Sequence, residues 1–428
     1  MNDNIKEKAE YCLNCKLKPC SNKGCPLGND IPAFISKIKE EKFKEAYEIL
    51  AKTTVLPAIC GRICPHKKQC EGSCIRGIKG KSVSIGELEA YVGDIAIKQG
   101  YKISKSTGIE KNVENGQDLS KKKVAIIGGG PAGLTCSAFL AKKNVKVTVY
   151  EKYDYLAGLL VHGIPEFRLP KEIVKKTISK IIDLGIEVRY NMELGKNLNL
   201  EDLSNEYDAV FLSFGANKSR KMGIEGENLA GVYGGNELLE YNLHPNYKGK
   251  TVLVNGCGNV AMDSARTIKR LGAERVIVVY RRSQNEMPAE EKEFLDAQNE
   301  GIEFLFKTNI VKILGNKKVE KVELIKTELI KKEDETRLVP VNIEGGNYII
   351  DADFVVMALG SKPADFIKEL NLKLDKYGNI QIDEFNRTSN KKIFAGGDLA
   401  GVKQTVAWAA RSGRNAAENI IKYLISRE

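Results

Sequence analysis

The sequence predicts an α/β chain with two doubly wound nucleotide-binding units, one inserted in the other, behind an α-helical, cysteine-rich segment. Three observations carry this expectation. Two glycine-rich turns, residues 128–133 and 256–261, each sit between apolar strands and open a helix. Two further apolar strands, residues 209–215 and 352–360, end in glycine and bracket the second turn, as where a chain leaves one domain and returns to it. Eight of the ten cysteines lie within the first 74 residues.

The cysteines form two groups, Cys12, Cys15, Cys20 and Cys25, then Cys60, Cys64, Cys70 and Cys74. Between them residues 31–51 show helical periodicity. In a cytoplasmic chain such crowding argues for metal rather than a disulfide framework. Two metal readings compete. Zinc takes four thiolates, usually from paired C-x(2–4)-C turns, and would make a structural or nucleic-acid-binding module. Iron–sulfur clusters take cysteine runs with mixed short gaps, often with a proline after one of them. Here the gaps are two, four and four residues, then three, five and three, with Pro26 after Cys25 and Pro65 after Cys64. Arg62, Lys67, Lys68, Arg76, Lys79 and Lys81 lie close in sequence, where they would offset the charge of thiolate-bound clusters. The spacing favours iron–sulfur. The nucleotide units downstream strengthen that choice, because clusters need an electron source and zinc does not.

Residues 101–122 are polar and aperiodic and read as a linker. The first nucleotide unit follows. Residues 124–127 have the β-branched content of a buried parallel strand. Gly128, Gly130 and Gly133 then fall in G-x-G-x-x-G spacing, and a helix runs on to about Lys143. The first glycine makes the tight turn, the second lets the backbone approach a pyrophosphate, and the third packs helix on strand. Residues 145–150 form the next strand, and Glu151 at its end is placed to accept from a ribose 2′-OH. Residues 157–170, rich in Gly and Pro and carrying His162 and Arg168, read as a loop. A helix over 171–185 and a strand over 187–190 follow.

The second turn repeats the pattern with one informative change. Residues 252–255 form a strand, Gly256, Gly258 and Ala261 open a helix to about Leu271, and residues 276–280 form the next strand. Alanine in the third position is tolerated. Arg281 and Arg282 stand where the first unit has an acid, which favours the 2′-phosphate of NADP over the bare ribose of NAD. Short strands fill residues 303–358. The C-terminal stretch places Asp398 after a buried strand and starts a long helix near Gln404, whose N-terminus would face an electron-rich ligand.

Composition excludes several classes. At 428 residues the chain has room for about three domains. Its net charge of +11 is spread without a block of five or six like charges, so a solvated lysine-rich surface is favoured over nucleic-acid binding. The polar N-terminus lacks the apolar run of a signal peptide, and no run is long enough to span a membrane. The chain is expected to be cytoplasmic.

The two cysteine groups, G-G-G-P-A-G, G-I-P-E-F-R-L-P, G-C-G-N-V-A-M-D, Y-R-R with E-M-P-A, and A-G-G-D with T-V together resemble one family along the whole chain. This is the family of FAD- and NADPH-binding iron–sulfur subunits typified by the glutamate synthase small (beta) subunit. The chain also resembles the N-terminal half of dihydropyrimidine dehydrogenase and the large subunit of NADH-dependent ferredoxin:NADP oxidoreductase. The resemblance implies an electron-input oxidoreductase that moves a hydride from NADPH to FAD and single electrons through two 4Fe-4S clusters. It implies FAD contacts at Gly128, Gly130, Pro131, Ala132, Gly133, Glu151, Lys152, Gly158, Leu159, Arg168, Gly397, Asp398, Thr405 and Val406. NADPH contacts are implied at Gly256, Gly258, Asn259, Val260, Ala261, Arg281 and Arg282. Cys12, Cys15, Cys20 and Cys74 would hold one cluster. Cys25, Cys64 and Cys70 would hold the other with Glu89, and Cys60 would be a spectator. Four residues separate Cys20 from Cys25 where the family pattern has three. The implied division is 1–110 for the clusters, 111–216 and 359–428 for FAD, and 217–358 for NADPH. The partner would be a glutamate synthase large subunit in a hetero-oligomer. A dihydropyrimidine dehydrogenase or ferredoxin acceptor is the alternative, and a zinc-stabilised redox-sensing scaffold a more remote one. A glutathione-reductase-like mechanism is rejected, since it needs a redox cysteine pair and Cys136 and Cys257 each stand alone inside a nucleotide-binding fingerprint.

Overall fold

The structure, a computed structural model, describes residues 3–105, 118–333, 335 and 337–426. Residues 106–117 of the expected linker lie outside the described residues. The chain divides into two compact units. One takes the chain up to Val161, Glu166–Ala216 and everything from Asp365 on; the other takes His162–Pro165 and Asn217–Ala364.

In the first unit the apolar runs pair as a parallel sheet in the order Ile393–Ala395, Ala209–Leu212, Lys123–Ile127, Lys146–Tyr150, Glu187–Arg189. The central strand Lys123–Ile127 is buried at four of its five positions, as a sheet covered on both faces requires. The fingerprint helix Pro131–Ala141 packs beside it and is crossed by the C-terminal helix Val406–Ile425. That crossing depends on the absence of a side chain. A Cβ at Gly413 would sit 2.1 Å from the Ala132 carbonyl oxygen.

The cysteine-rich segment is helical and belongs to the same unit. Its periodic stretch forms two helices, Ile31–Lys39 and Phe43–Ala51, because the polar run between them turns at Glu41 with φ +57°. Two helices not foreseen from the sequence, Pro57–Ile63 and Ile85–Lys98, cross at glycines on both sides. A Cβ at Gly61 would meet the Ala90 nitrogen at 2.3 Å, and one at Gly93 the Ala58 nitrogen at 2.4 Å. The crossing lays Cys60 and Cys64 alongside Glu89. Lys142, at the end of the fingerprint helix, donates to the Ala51 carbonyl at 2.6 Å and ties this bundle to the sheet.

The second unit has its own five-stranded parallel sheet, ordered Val232–Gly234, Phe354–Met357, Thr251–Asn255, Arg275–Tyr280, Glu303–Phe306. Strand periodicity divides its core. Val252, Val254, Val276 and Val278 face Ala261, Met262, Ala265 and Ile268 of the helix Asn259–Arg270. Leu253, Ile277 and Val279 face a three-stranded antiparallel layer, Thr308–Leu314, Lys321–Ile330 and Val339–Asp351. Buried Arg266 on that helix is ringed by Glu293, Asp296 and Glu300.

Gly413→Ala is expected to destabilise the chain by about 1–3 kcal/mol despite alanine's better helix propensity, because the clash is with backbone that cannot rotate away. Urea unfolding monitored by the single tryptophan, Trp408, checks this, and an unchanged midpoint would refute the tight crossing.

Candidate functional site

The first glycine turn is built for close backbone approach. Gly128 takes φ +95°, and a Cβ there would lie 2.6 Å from the Phe214 Cα. Gly130 precedes the helix in an extended conformation, no side chain caps that helix, and a Cβ on Gly130 would meet nothing within 4 Å. Open space above uncapped first-turn amides is what a pyrophosphate needs. Glu151 ends the second strand. Its carboxylate accepts from the Gly129 amide at 2.8 Å and the Tyr153 amide at 3.1 Å, which leaves acceptor capacity for a hydroxyl.

Other expected residues gather at this turn from distant parts of the chain. The Ala157 amide donates to the Gly129 carbonyl at 2.8 Å, and Gly158 lies beside Gly130, which places Leu159 at the same edge. Gly397 lies against Ala132, and its amide donates to Ser412 Oγ at 3.1 Å. Asp398 therefore stands beside the fingerprint helix, and burial pushes its carboxyl up to about 7. Thr405 caps the C-terminal helix, accepting from the Trp408 amide, and Val406 is the first helical residue. Lys152 rests its ammonium over the Tyr153 ring, 4.5 Å from the centroid. Arg168 lies in the loop before the Lys171–Ile182 helix, in the same unit.

The second turn is built alike within its own unit. Gly256 takes φ +124°, and a Cβ there would meet the Ala358 carbonyl oxygen at 2.3 Å. Gly258 precedes an uncapped helix that begins at Asn259 and Val260 and buries Ala261. The segment after the two arginines folds back on this turn. The Ala289 amide donates to the Cys257 carbonyl at 3.1 Å and the Glu290 amide to Asn259 Oδ1 at 3.2 Å. Ser283 and Glu286 form a reciprocal capping box that fixes the loop. Arg281 is exposed; Arg282 Nε donates to the Leu338 carbonyl at 3.2 Å.

The cysteines segregate as two sets. Cys12, Cys15, Cys20 and Cys74 line one cavity, partly open to solvent, whose other walls are mostly apolar, among them Ile31, Ile35 and Val83, with Arg76 beside them. Burial raises the Cys12 and Cys20 thiols. Cys25, Cys64, Cys70 and Glu89 form the second set, close enough to perturb one another's charge, and Cys60 perturbs Cys25 and Cys64 in the same way. Burial pushes Cys25 up to about 12, raises Cys70, and takes Glu89 up to about 8 against the opposing hydrogen bond from Asn29. Cys64 is raised first by its hydrogen bond with Cys60, then by burial. Thiols held neutral by burial are the expected metal-free state of ligands that lose their protons to iron. Among the described residues no three His, Cys, Asp or Glu side chains converge on a single metal ion; the two sets are walls of sites rather than closed ligand spheres.

Comparisons with known proteins agree with this geometry. Residues 122–413 match the family described as pyridine nucleotide-disulphide oxidoreductase, and residues 1–101 match dihydropyrimidine dehydrogenase domain II, 4Fe-4S cluster. The glutamate synthase (NADPH) small chain of Escherichia coli is 36% identical over 98% of this chain and 91% of its own length. The chain belongs to this family. The NADP(+)-dependent formate dehydrogenase subunit beta of Moorella thermoacetica is 35% identical over 95% of this chain and 60% of that longer protein. Among solved structures, FprA from Mycobacterium tuberculosis superposes with a TM-score of 0.64 at 22% identity, covering 71% of this chain and 85% of that one, a likeness of fold.

As a member of the glutamate synthase small-chain family the protein is an oxidoreductase, and its residues suit the family's groups. The glycine cradles leave room for pyrophosphates, and an apolar cavity carrying four thiols suits a sulfide-bridged cluster better than a hydrated ion. Several positions at the site were not picked out from the sequence. Asn29 donates to Glu89 at 3.1 Å and accepts from Thr53 at 2.7 Å. Ser213 Oγ donates to the Gly128 carbonyl at 2.9 Å. Arg411 donates to the Pro26 carbonyl at 3.1 Å, and Arg414 to those of Leu27 at 2.9 Å and Thr53 at 3.0 Å. No local pattern in the sequence announces carbonyls that lie over 350 residues away. Among the described residues no helix is long and apolar enough to cross a membrane.

The raised Asp398 pKa has a pH signature. Its folded value of about 7 exceeds the unfolded value of about 3.9. The folded state therefore holds an extra proton between those values, and stability falls as pH rises from about 4 to 7. In flavin-free protein Asp398→Asn is expected to remove part of that fall, at most on the order of 4 kcal/mol. Urea unfolding at several pH values measures it. Parallel pH profiles for variant and parent would mean the carboxyl is not desolvated.

Proposed function

We propose that the chain is the electron-input subunit of an NADPH-dependent flavin and iron–sulfur oxidoreductase, with a glutamate synthase large subunit-like partner as electron acceptor. The observation that carries this reading is the shared compact unit of the cysteine bundle and the first nucleotide fold, tied by Arg411 and Arg414 to the loop that follows Cys25. Bound FAD accepts a hydride and releases electrons singly, which is the conversion that iron–sulfur clusters require. The chain's residues do the positioning. Gly128–Gly130–Gly133 and Glu151 hold the FAD adenosine and pyrophosphate. Gly158, Leu159, Arg168, Gly397 and Asp398 close over its middle, and the Thr405–Val406 helix start presents its positive end to the flavin ring. Gly256, Gly258, Asn259, Val260 and Ala261 hold the NADPH pyrophosphate, with Arg281 and Arg282 on the 2′-phosphate.

Two 4Fe-4S clusters follow in this reading, on Cys12, Cys15, Cys20 and Cys74, and on Cys25, Cys64, Cys70 and Glu89. The chain's four segments then divide as 1–110, 111–216, 217–358 and 359–428. The test begins with anaerobic NADPH, which must bleach bound flavin and reduce the clusters seen by electron paramagnetic resonance. Zinc in place of iron and acid-labile sulfide would instead favour the scaffold reading. A pull-down from the native cells then identifies the acceptor: an amidotransferase-type large subunit supports the proposal, and a pyrimidine dehydrogenase or a ferredoxin replaces that partner.

Two variants sharpen the assignment. Replacing Arg281 and Arg282 with alanine is expected to raise the KM for NADPH about 10–100-fold, the value of a charge-assisted phosphate contact, and to leave that for NADH nearly unchanged. An equal loss for both nucleotides would remove the 2′-phosphate role. Cys64→Ser is expected to halve the bound iron, whereas Cys60→Ser retains it; iron loss in the Cys60 variant would move Cys60 into the ligand set.

A further inference from the structure

The two loops that supply the first cysteine cavity also carry an apolar cluster that the fold leaves in water. Leu17 is 82% exposed and Ile78 77%, with Leu13 at 51% and Ile75 at 40%. Leu13 and Ile75 line the cavity, so their exposure is that of a rim around the cluster site. Leu17 and Ile78 are not part of that lining. Leu17 stands between Cys15 and Cys20, and Ile78 ends the short helix Ile75–Ile78 that follows Cys74. Single exposed apolar side chains need no explanation, but four on the two short segments that line one opening are a concentration of the kind that marks interaction sites.

The charge on these loops has one sign. Residues 11–24 contain Lys16, Lys18 and Lys23, residues 74–82 contain Arg76, Lys79 and Lys81, and neither loop contains an acid. Lys18 is paired with Asp30, and Arg76 lies over the Tyr11 ring at 4.3 Å. Lys16, Lys23, Lys79 and Lys81 are exposed. A basic rim around an apolar centre matches a partner with acidic groups around an apolar patch, and such a rim steers encounter more than it adds affinity. Single-electron transfer needs the donor group close to its acceptor, and this opening is where the first cysteine set reaches the surface.

We infer that the Leu13, Leu17, Ile75 and Ile78 patch with its lysine rim is the docking surface for the electron-accepting protein, an iron–sulfur partner with an acidic rim. The inference rests on the electron-input reading and deepens it, by placing the exit at Cys12, Cys15, Cys20 and Cys74.

The test uses an acidic 2Fe–2S ferredoxin as probe acceptor and ferricyanide as a small acceptor that needs no docking surface. NADPH-reduced protein is mixed with each under anaerobic conditions, for the parent, for Leu17→Glu/Ile78→Glu and for Lys16→Glu/Lys23→Glu. Both double variants are expected to slow ferredoxin reduction about tenfold or more, while flavin bleaching by NADPH and ferricyanide reduction stay within about twofold. Ferredoxin reduction by the parent should also slow with added salt. If the apolar pair loses iron, the lysine pair and the salt dependence decide. Unchanged ferredoxin rates in the lysine variant, without salt dependence, would overturn the inference. So would parent protein that sediments with anionic lipid vesicles through this patch while ferredoxin rates are indifferent to it. If the parent reduces neither acceptor because NADPH leaves the flavin oxidised, the electron-input reading itself fails, a result distinct from loss of ferredoxin transfer alone.

Discussion

The close passage of the C-terminal helix over the fingerprint helix is the contact on which the first unit turns. With no side chain at Gly413, the two helices approach until backbone meets backbone at Ala132. That single approach sets three things at once. It brings Gly397 and Asp398 against the turn that would hold a pyrophosphate, and it aims the capped helix start at Thr405 along the same edge. It also carries Arg411 and Arg414, further along the same helix, across to the carbonyls of the cysteine bundle. A buried guanidinium spanning two backbone carbonyls is costly to desolvate and strongly directional, so it fixes orientation more than it adds stability. Nucleotide turn and cysteine loop are thereby held by one rigid helix.

The same logic governs the cysteine bundle. Short helices are marginal alone, and about a hundred residues rich in loops offer little core. Gly61 and Gly93 compensate by letting two helices touch at their backbones, which buries Cys60 and Glu89 on one side of the crossing. The result is a preformed but energetically unfavourable pocket: thiols and a carboxyl pressed together where ionisation is suppressed. Iron relieves that, because a bound cation reverses the local preference for neutral side chains. The bundle is in this sense unfinished without its metal.

Much of this was legible in the sequence because backbone chemistry leaves marks there. The apolar runs, the glycine spacing and the acid or arginines after the second strands are each dictated by a local physical need, and strands and helices appear where those marks stand. The helices Pro57–Ile63 and Ile85–Lys98 were hidden because one is short and the other almost wholly apolar on the faces it buries, so neither shows a clean amphipathic period. Asn29, Ser213 and Arg414 were illegible for a different reason. Their function is a hydrogen bond to a group far away in the chain, and no spacing rule reaches that far.

Cys60 bears directly on one member of the second set. It is buried beside the second set, and its hydrogen bond with Cys64 is the largest single cause of that thiol's raised pKa. A neighbour that stabilises the neutral thiol works against metal binding until iron displaces the proton. Glu89 differs in kind. Its charge raises the Cys25, Cys64 and Cys70 thiols, and Asn29 donates to one of its oxygens. The Asn29 amide favours the charged form of Glu89, whereas the Cys60 thiol favours the neutral form of Cys64.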